Sequence, residues 1–476
     1  MTTLPIDPAA PVLRETAAAW AALGGDPALL ARVAPVVRDG VLDARTPVRE
    51  LARACVGACA LAAAELGARR AGRADAPLVE VDDGAVATAF ASERLLTVDG
   101  RAPETFAPLS RWWRTADGWV RTHANYPHHR DRLLRALALA PDASADDVAA
   151  RLAERAALDV EGAVYGAGGL AVALRTPAEW AAHEQGTAVA AHPLVETRPP
   201  EAAGARGLAP LPGGSVLLPA AGLRVLDLSR VLAGPVATRT LALLGADVLR
   251  LDAPWLPELP DQHADTGFGK RSATLDLRTD RAAFEELLAD ADVVVTGYRP
   301  GALDRLGLSA EALTERRPDL VVAQLSAWGA YGPWRERRGF DSLVQVATGI
   351  ATTEGTPERP GALPAQALDH GTGYLLAAAV LRGLSERARE GRGRVVRLSL
   401  ARTAAWLTDG IEPAAGDRGA PGLAYDGPEA WLAETTGPLG RLRHARSPIT
   451  FAGGPTDWAH PPVPWGDSGA QWRACG

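Results

Sequence analysis

The stretch that decides the fold is residues 224–235, which read Arg224-Val225-Leu226-Asp227-Leu228-Ser229-Arg230-Val231-Leu232-Ala233-Gly234-Pro235. Residues 224–228 have the short apolar character of a strand, and a helix is predicted to begin at Ala233 and run to Leu244. After a break at Gly245, a second apolar run at 248–251 predicts another strand. A strand, a helix and a strand in this order indicate a βαβ unit.

The same alternation continues toward residue 325. Further elements are predicted as a helix at 282–288, a strand at 293–295, a helix at 310–315 and a strand at 320–325. Short apolar strands separated by helices predict an α/β fold, a Rossmann-like parallel sheet with helices on both faces. Ligands of such sheets bind beyond the carboxyl ends of the strands. The segments there carry no GxGxxG or GxxxxGK[ST] motif, so neither dinucleotide nor P-loop nucleotide binding is predicted.

Two larger units are predicted on either side of a linker at residues 201–220, which is rich in Pro, Gly and Ala. Residues 1–200 are interpreted as a degenerate N-terminal half that includes a smaller α+β domain at about 105–200. Within it, Asp117-Gly118 between two β-like runs predicts a hairpin. Residues 221–476 are expected to form the Rossmann-like domain with a C-terminal closing segment.

An internal similarity complicates the domain order. Residues 52–66 align with residues 367–381, and each segment is followed by an Arg-rich helix end and a strand. In this alignment Ala54 stands where Asp369 stands. Because internal repeats change how a whole fold is interpreted, the domain order is predicted to be either permuted or duplicated.

Composition excludes several classes of protein. The net charge of −7 argues against general nucleic-acid binding. Cys55, Cys59 and Cys475 are too few for a disulfide framework or a zinc site. Neither a signal peptide nor a membrane span is predicted, and a cytoplasmic protein is expected. Lys270 is the single lysine of the chain, and its compact ammonium would suit a phosphate group.

The candidate for the chemistry is Asp369, in the segment Pro364-Ala365-Gln366-Ala367-Leu368-Asp369-His370-Gly371-Thr372-Gly373-Tyr374 before an apolar helix. A carboxylate there lies near the positive end of the helix dipole, which favours its ionised form. Backbone N–H groups near Gly371 and Gly373 would stabilise an oxyanion. From these residues alone two interpretations stay open, a capping acid and a reactive carboxylate.

Residues 222–406 resemble the class III CoA-transferases, the family of the formyl-CoA and carnitine-CoA transferases (CaiB/BaiF). The matching pieces include Arg299-Pro300-Gly301, Gly339-Phe340-Asp341 and Ala367-Leu368-Asp369, and the full series lies at 222–235, 244–248, 270–277, 299–307, 329–334, 339–349, 367–369 and 393–396. Eight pieces in the family's order are far more specific than any single motif.

The resemblance implies that Asp369 is the nucleophile of a CoA-transferase, which forms an aspartyl anhydride and then an aspartyl-CoA thioester. The CoA contacts implied or available are Arg230, Ala233, Arg250, Lys270, Arg271, Arg299 and Tyr331. Coenzyme A would be a substrate and no cofactor would be permanently bound. An acyl-CoA and a carboxylate would be the partners, without nucleic acid or membrane, and a homodimer is an expectation from the family.

Particular residues bear on two alternative functions. The 2-methylacyl-CoA racemases of the same superfamily use a histidine where this chain has Phe340, which cannot move protons. His370 is a substitute base in that scheme, although a role in lining the site is favoured. A non-catalytic CoA-binding subunit is the alternative from a different class. His123, His128 and His129 lack acidic or Cys partners at ligand spacing, so no metal site is predicted.

Overall fold

A computed structural model describes residues 13–202, 207–211, 213–214, 216–356, 358–412 and 422–473. The expectations for residues 1–12 and for Cys475 lie outside these residues. The helices are α1 Arg14–Ala22, α2 Val48–Arg70, α3 Asp83–Ala89, α4 Ser92–Leu95, α5 Pro127–Ala136, α6 Ala145–Ala153, α7 Ala157–Gly166, α8 Pro177–Ala182, α9 Glu184–Ala190, α10 Ala233–Leu243, α11 Pro260–Thr266, α12 Arg281–Asp290, α13 Ala310–Arg316, α14 Asp341–Ala347, α15 Ile350–Thr353, α16 Ala367–Glu390 and α17 Leu400–Ala405. The strands are β1 Val33–Val36, β2 Arg38–Asp39, β3 Val79–Asp82, β4 Thr97–Val98, β5 Trp112–Arg114, β6 Trp119–Thr122, β7 Ala171–Ala173, β8 Glu196–Arg198, β9 Arg224–Leu228, β10 Asp247–Asp252, β11 Lys270–Thr274, β12 Val293–Thr296, β13 Val321–Ser326, β14 Arg394–Ser399, β15 Leu423–Ala424, β16 Leu432–Gly437, β17 Gly440–Ala445 and β18 Thr450–Phe451.

The largest sheet has seven strands in the order β11-β10-β9-β12-β13-β14-β8. All neighbouring pairs are parallel except β14 with β8. Helices separate the parallel strands along the chain, so the predicted α/β fold with a large parallel sheet is confirmed. The strand order changes direction between β9 and β12, and a crevice for ligands forms beyond the carboxyl ends of strands at such a point.

The predicted βαβ unit is present as β9, α10 and β10, with β9 and β10 paired in parallel. The chain makes a tight turn between β9 and α10, where Val231 has a positive φ of 69°. A Cβ atom on Gly234 would lie 2.4 Å from Cβ of Ser229. Only glycine therefore allows the helix to start this close to the end of the strand.

The two long apolar helices, α2 and α16, pack side by side in the same direction. Near their starts, Gly371 faces Leu51 and Cys55. Near their ends, Nη1 of Arg382 lies 2.6 Å from Oε2 of Glu65. Each helix leads into a strand that pairs in parallel with an earlier strand, β3 with β1 and β14 with β13.

By length and composition α2 could cross a membrane, and it is the one such helix within the described residues. Of its most apolar window, 94% is buried inside the protein, against α16, α1 and β3. Its alanines, cysteines and leucines form part of the largest hydrophobic core. In this structure α2 is therefore a core helix.

A small antiparallel sheet, β5-β6-β7, packs with α5, α6 and α7 around a separate core of buried side chains. The predicted hairpin at Asp117-Gly118 is confirmed, since Arg114 pairs with Trp119 across it. The turn is closed by a hydrogen bond of 3.0 Å from the N–H of Thr115 to the carbonyl of Gly118. This sheet places Arg121 and His123 close to α14.

Each half of the chain, residues 1–200 and 221–476, contributes strands that pair with strands of the other half. Residues 196–198 pair with β14 of the large sheet. In the other direction, Thr450–Phe451 pairs with β3, and β17 pairs with β4. Each half thus completes a sheet of the other.

Candidate active site

Asp369 lies at the junction of two cavities. The first has a volume of about 230 Å³ and opens beyond the carboxyl ends of β9, β12 and β13. The second has a volume of about 50 Å³ and extends toward α4 and residues 103–106. Val231, Leu232 and Phe340 line both cavities together with Asp369. Groups bound in either cavity would therefore meet at this carboxyl group.

Other ionisable side chains surround Asp369. Oδ2 of Asp341, the first residue of α14, accepts hydrogen bonds of 2.9 Å from the backbone N–H groups of Leu368 and Asp369. On the other side, Oε2 of Glu93 lies 3.0 Å from Nε2 of His370. The first turn of α16 is thus held by one carboxylate, while a second carboxylate engages the histidine that follows Asp369.

Burial raises the pKa of Asp369 well above its ordinary value, and the charges of Asp341 and Glu93 act in the same direction. Burial also raises the pKa of Asp341 to about 6, against the hydrogen bonds that its carboxylate accepts. Burial by itself would raise the pKa of Glu93. The hydrogen bond and the charge of His370 outweigh burial, so the pKa of Glu93 is lowered.

The expectation that the helix terminus keeps Asp369 ionised is therefore corrected. A helix dipole contributes about 0.3–1 kcal/mol at an exposed terminus. Removal of a carboxylate from water beside two other acids is the larger effect. The surroundings of Asp369 consequently disfavour its ionised form.

Of the expected CoA contacts, Arg230, Ala233 and Arg299 line the larger of the two cavities beside Asp369. Arg230 is already engaged, since its guanidinium lies 3.3 Å from Oε1 of Glu258. Arg299 and a residue that sequence reasoning missed, Arg338, have no carboxylate partner within the described part of the chain.

Burial lowers the pKa of Arg338, and the positive charges of Arg299 and Arg132 lower it further. The mouth of the cavity therefore carries positive charge that the described residues do not neutralise. A short sequence signal existed for Arg338, because Arg337 and Arg338 directly precede the quoted segment Gly339-Phe340-Asp341.

Lys270 is not at the cavity. Its ammonium is buried, 3.0 Å from Oδ2 of Asp227 and 2.6 Å from Oγ1 of Thr238. Burial lowers the pKa of Lys270 to about 8, although the charge of Asp227 opposes this shift. The expected phosphate contact is thus corrected, because all three partners of the ammonium belong to the protein and it joins β11 to β9 and α10.

Arg250 and Arg271 are also engaged by the protein. The buried guanidinium of Arg250 lies 2.7 Å from Asp252 and 2.9 Å from Glu258. Arg271 makes two bonds of 3.0 Å to the carboxylate of Asp247. The structure does not bring either arginine to the cavity, because neighbouring acids hold both within or beside the sheet.

Tyr331 lies in an adjoining cavity of about 390 Å³ beyond the ends of β13 and β14. Its ring stacks on His192 with centroids 3.6 Å apart, and its hydroxyl lies 3.3 Å from Oγ of Ser399. Tyr298 and Ser326 line both this cavity and the one that contains Arg299. The two spaces therefore form a continuous surface beyond the sheet.

Gly371 and Gly373 do not face the carboxyl group of Asp369. Both lie inside α16, where backbone N–H groups bond to carbonyls of the preceding turn. A Cβ atom on Gly373 would lie 2.6 Å from the carbonyl oxygen of Ala233, and Gly371 faces α2. The expected oxyanion role is corrected to close packing of helices.

The histidines lie together near Phe340. His123 stacks on Phe340 at 3.8 Å, and His129 lies 6.4 Å from His123 between ring centroids. Burial lowers the pKa of His123 to about 3 and that of His129 to about 2, so both are neutral at physiological pH. Among the described residues no cluster of His, Cys, Asp and Glu has the arrangement of a metal site.

Residues 220–417 match CoA-transferase family III. The probable fatty acyl-CoA transferase Rv3272 of Mycobacterium tuberculosis is 37% identical over 206 residues, which are 40% of this chain and 52% of the relative. The formyl-CoA:oxalate CoA-transferase of Streptomyces avermitilis is 35% identical over 193 residues, 38% of this chain and 47% of the relative.

Among solved structures, a crystal structure of Rv3272 from M. tuberculosis shares 36% identity over 40% of this chain and 57% of that chain, with a TM-score of 0.38. The chain spans about half the length of the curated relatives it matches. The match begins just before β9 and ends after α17. It therefore contains the parallel strands of the large sheet and α16, the helix that carries Asp369.

Proposed function

We propose that this chain, whose residues 220–417 belong to CoA-transferase family III, transfers coenzyme A from an acyl-CoA to a carboxylic acid with Asp369 as the nucleophile. The observation that carries the proposal is the position of Asp369 between two cavities. One cavity opens at the reversal point of a parallel sheet and is lined by basic residues, and the other is smaller. A thioester requires this division, because its CoA and acyl portions lie on opposite sides of the reacting carbonyl.

The larger of the two cavities beside Asp369 carries the positive charge that the phosphate groups of coenzyme A would require. Arg299 and Arg338 line it, and no carboxylate of the described residues pairs with them. Guanidinium is the preferred partner of phosphate oxygens. The adjoining cavity that Tyr331 lines offers further length for a long cofactor-like substrate. CoA would act as a substrate here, and the proposal requires no permanently bound cofactor.

The proposed reaction uses only carboxylates and thiolate. Ionised Asp369 attacks the thioester carbonyl, which forms a mixed anhydride and releases CoA thiolate. The thiolate then attacks the aspartyl carbonyl, which gives an aspartyl-CoA thioester and frees the donor acid. The acceptor carboxylate reverses these steps, and the new acyl-CoA leaves with Asp369 regenerated. Splitting one exchange into such steps is the benefit of covalent catalysis.

The surroundings of Asp369 support this role. Burial and two neighbouring acids disfavour the ionised form of Asp369, and a destabilised carboxylate is a better nucleophile. Asp341 fixes the first turn of α16, so that the side chain of Asp369 keeps one position between the cavities. Such fixed placement of the reacting group is a major source of rate enhancement.

The test is CoA exchange between a panel of acyl-CoAs and carboxylates, with Asp369→Asn as the matched variant. We expect exchange by the wild type and none by the variant. Hydroxylamine added during turnover should convert Asp369 to its hydroxamate, which mass spectrometry of the peptide detects. Exchange that survives Asp369→Asn would contradict the mechanism. CoA binding without any exchange would favour a non-catalytic CoA-binding subunit.

One observation favours a second candidate, a 2-methylacyl-CoA racemase. Phe340 occupies the position of the racemase histidine, but His123 stacks on Phe340 and lines the same small cavity as Asp369. The imidazole of His123 is neutral at physiological pH, the form in which a histidine accepts a proton. Incorporation of deuterium from heavy water at the α-carbon of a 2-methylacyl-CoA, abolished by His123→Phe, would support this reaction in place of CoA transfer.

We propose further that residues 1–200 are a degenerate copy of part of the catalytic half, joined by a linker at 201–220. The support is the parallel packing of α2 against α16 and the equivalent order of helix, strand and short helix that follows each. Because Gly371 faces Leu51 and Cys55, equivalent stretches of the two helices lie opposite each other. Sedimentation of the purified chain tests the related expectation of a homodimer.

A further inference from the structure

Arg121 is a half-buried arginine for which the described residues offer no hydrogen bond or ion pair. It lies on β6, and its guanidinium is 5.1 Å from the ring centroid of Phe106 and 5.5 Å from that of Trp112. Its Nε atom is fully buried without a partner. Nearby Arg175 has the usual arrangement, with two hydrogen bonds to the buried carboxylate of Glu161. A guanidinium has five donors, and burial without a carboxylate is rare.

Two adjoining cavities lie between Arg121 and the reacting carboxyl group. Arg121 lines a space of about 80 Å³. Four of the residues around that space also line the small cavity at Asp369, namely Arg94, Phe106, Ser342 and Gln366. Asp369 and Arg121 therefore lie toward opposite ends of two adjoining spaces with shared walls. Their volumes, about 50 Å³ and about 80 Å³, are on the scale of a short-chain acid.

Two of the acids that face this region, Asp341 and Glu93, already have partners. The charge of Asp341 acts on Arg121, yet the oxygens of Asp341 accept bonds from Leu368, Asp369 and Gln345. Glu93 engages His370 and lies 3.6 Å from the guanidinium of Arg94.

Burial lowers the pKa of Arg121 to about 10, so the guanidinium stays charged at neutral pH. Its charge is consequently left for an anion that enters from the Asp369 side.

We propose that Arg121 binds the distal carboxylate of a short dicarboxylic acid whose other carboxyl group is at Asp369. The acid would arrive either as the acyl group of the CoA thioester or as the free acceptor, since both occupy the same space in the transfer. This inference rests on the proposed function. A planar guanidinium pairs with a carboxylate through two parallel hydrogen bonds, and a monocarboxylic acid of equal length would leave it unpaired.

The experiment compares succinyl-CoA with butyryl-CoA, whose acyl chains have the same number of carbons. We expect the wild type to prefer succinyl-CoA in kcat/KM. Arg121→Met should lower kcat/KM for succinyl-CoA by about 10- to 100-fold, the range for loss of a charged hydrogen bond. The same variant should leave butyryl-CoA turnover unchanged or faster. Arg121→Lys should fall between, because an ammonium retains charge without the planar fork.

Arg114→Met is the matched control, because Arg114 lies on the neighbouring strand, over Trp119 at 4.6 Å, and is exposed outside the cavity. Arg114→Met should change kcat/KM for neither succinyl-CoA nor butyryl-CoA. Equal losses on both thioesters in Arg121→Met, or no preference in the wild type, would overturn the inference. If Arg121→Met fails to fold, Arg121→Lys carries the same comparison with the same two outcomes.

Binding to Asp369→Asn separates this inference from the proposed function. Calorimetry of succinyl-CoA and butyryl-CoA with this variant measures recognition without turnover. Selective binding of succinyl-CoA that Arg121→Met removes would support the role of Arg121 even if the wild type transfers no CoA. Absence of binding by either thioester would overturn both proposals. Exchange in the wild type with equal binding of the two would overturn only the role of Arg121.

Discussion

Oδ2 of Asp341 accepts a hydrogen bond of 2.9 Å from the backbone N–H of Asp369. The two carboxyl groups therefore belong to one acidic pair, in which Asp341 receives the donors at the helix terminus and Asp369 faces the cavities. A carboxylate that accepts several hydrogen bonds keeps its charge more readily than one without them. Asp341 is thus the member of the pair that ionises first.

The pair predicts a particular pH dependence. Because ionisation of Asp369 is required for attack, kcat/KM should rise with pH through an apparent pKa above the ordinary value for aspartate. Asp341→Asn removes the neighbouring negative charge and should move this rising limb to lower pH. Asp304→Asn, which changes an exposed acid in the adjoining cavity, should not move it. If the rising limb of kcat/KM stays at the same pH in Asp341→Asn, the electrostatic coupling between the two carboxyl groups is contradicted.

Asp369→Asn should stabilise the protein at neutral pH. The pKa of Asp369 is raised in the folded state, so its ionisation opposes folding above the ordinary aspartate pKa. Replacing the ionisable carboxyl group by the amide of Asn should add about 0.5–2 kcal/mol to the free energy of unfolding at pH 7 to 8, a typical gain for a stabilising substitution. The gain should shrink as the pH falls toward about 4, where the unfolded carboxyl group also binds its proton.

Chemical denaturation of the two proteins at several pH values measures this difference. Asp265→Asn is the control, since Asp265 is buried but forms an ion pair of 3.1 Å with Arg239. Loss of one partner of a buried pair should destabilise the fold by about 3–5 kcal/mol. If both substitutions destabilise alike, Asp369 contributes to stability as an ordinary buried acid.

Lys270 and Arg299 should respond in opposite ways to replacement by methionine. Lys270→Met leaves the buried carboxylate of Asp227 without its ammonium, which should cost about 3–5 kcal/mol of stability. The KM for an acyl-CoA should not change in the folded fraction. Arg299→Met should leave stability nearly unchanged and raise that KM by about 10-fold or more, from the loss of one charged hydrogen bond. Thermal unfolding and steady-state kinetics separate the two effects.

Two glycines of α16 provide a test of helix packing. A methyl group on Gly373 would lie 2.6 Å from the carbonyl oxygen of Ala233, so Gly373→Ala should destabilise by about 1–3 kcal/mol. On Gly371 the nearest atom would be Sγ of Cys55 at 3.4 Å, an ordinary contact. Gly371→Ala should therefore be neutral or stabilising by up to about 1 kcal/mol, the difference in helix propensity. Equal losses in stability would mean that contacts with α10 and α2 are equally tight.

The strands and helices of the large sheet followed from the sequence because local patterns encode them. The run at 224–228 became β9 without change, and the helix after Ala233 ended at Leu243. Short apolar runs with glycine at the turns leave little choice of local structure. The order of motifs around Asp369 likewise indicated which family of enzymes residues 220–417 match.

The charge state and the surroundings of Asp369 were decided by tertiary structure. Glu93 and Asp341 are distant in the chain, yet both act on its pKa. Lys270 looked exceptional in the sequence, but Asp227 holds it inside the protein. Arg121 looked ordinary in the sequence, but among the described residues no acid forms an ion pair with it at its cavity. The free energy of a charged group depends on which groups fold around it and on how much water remains, and neither is a local property of the chain.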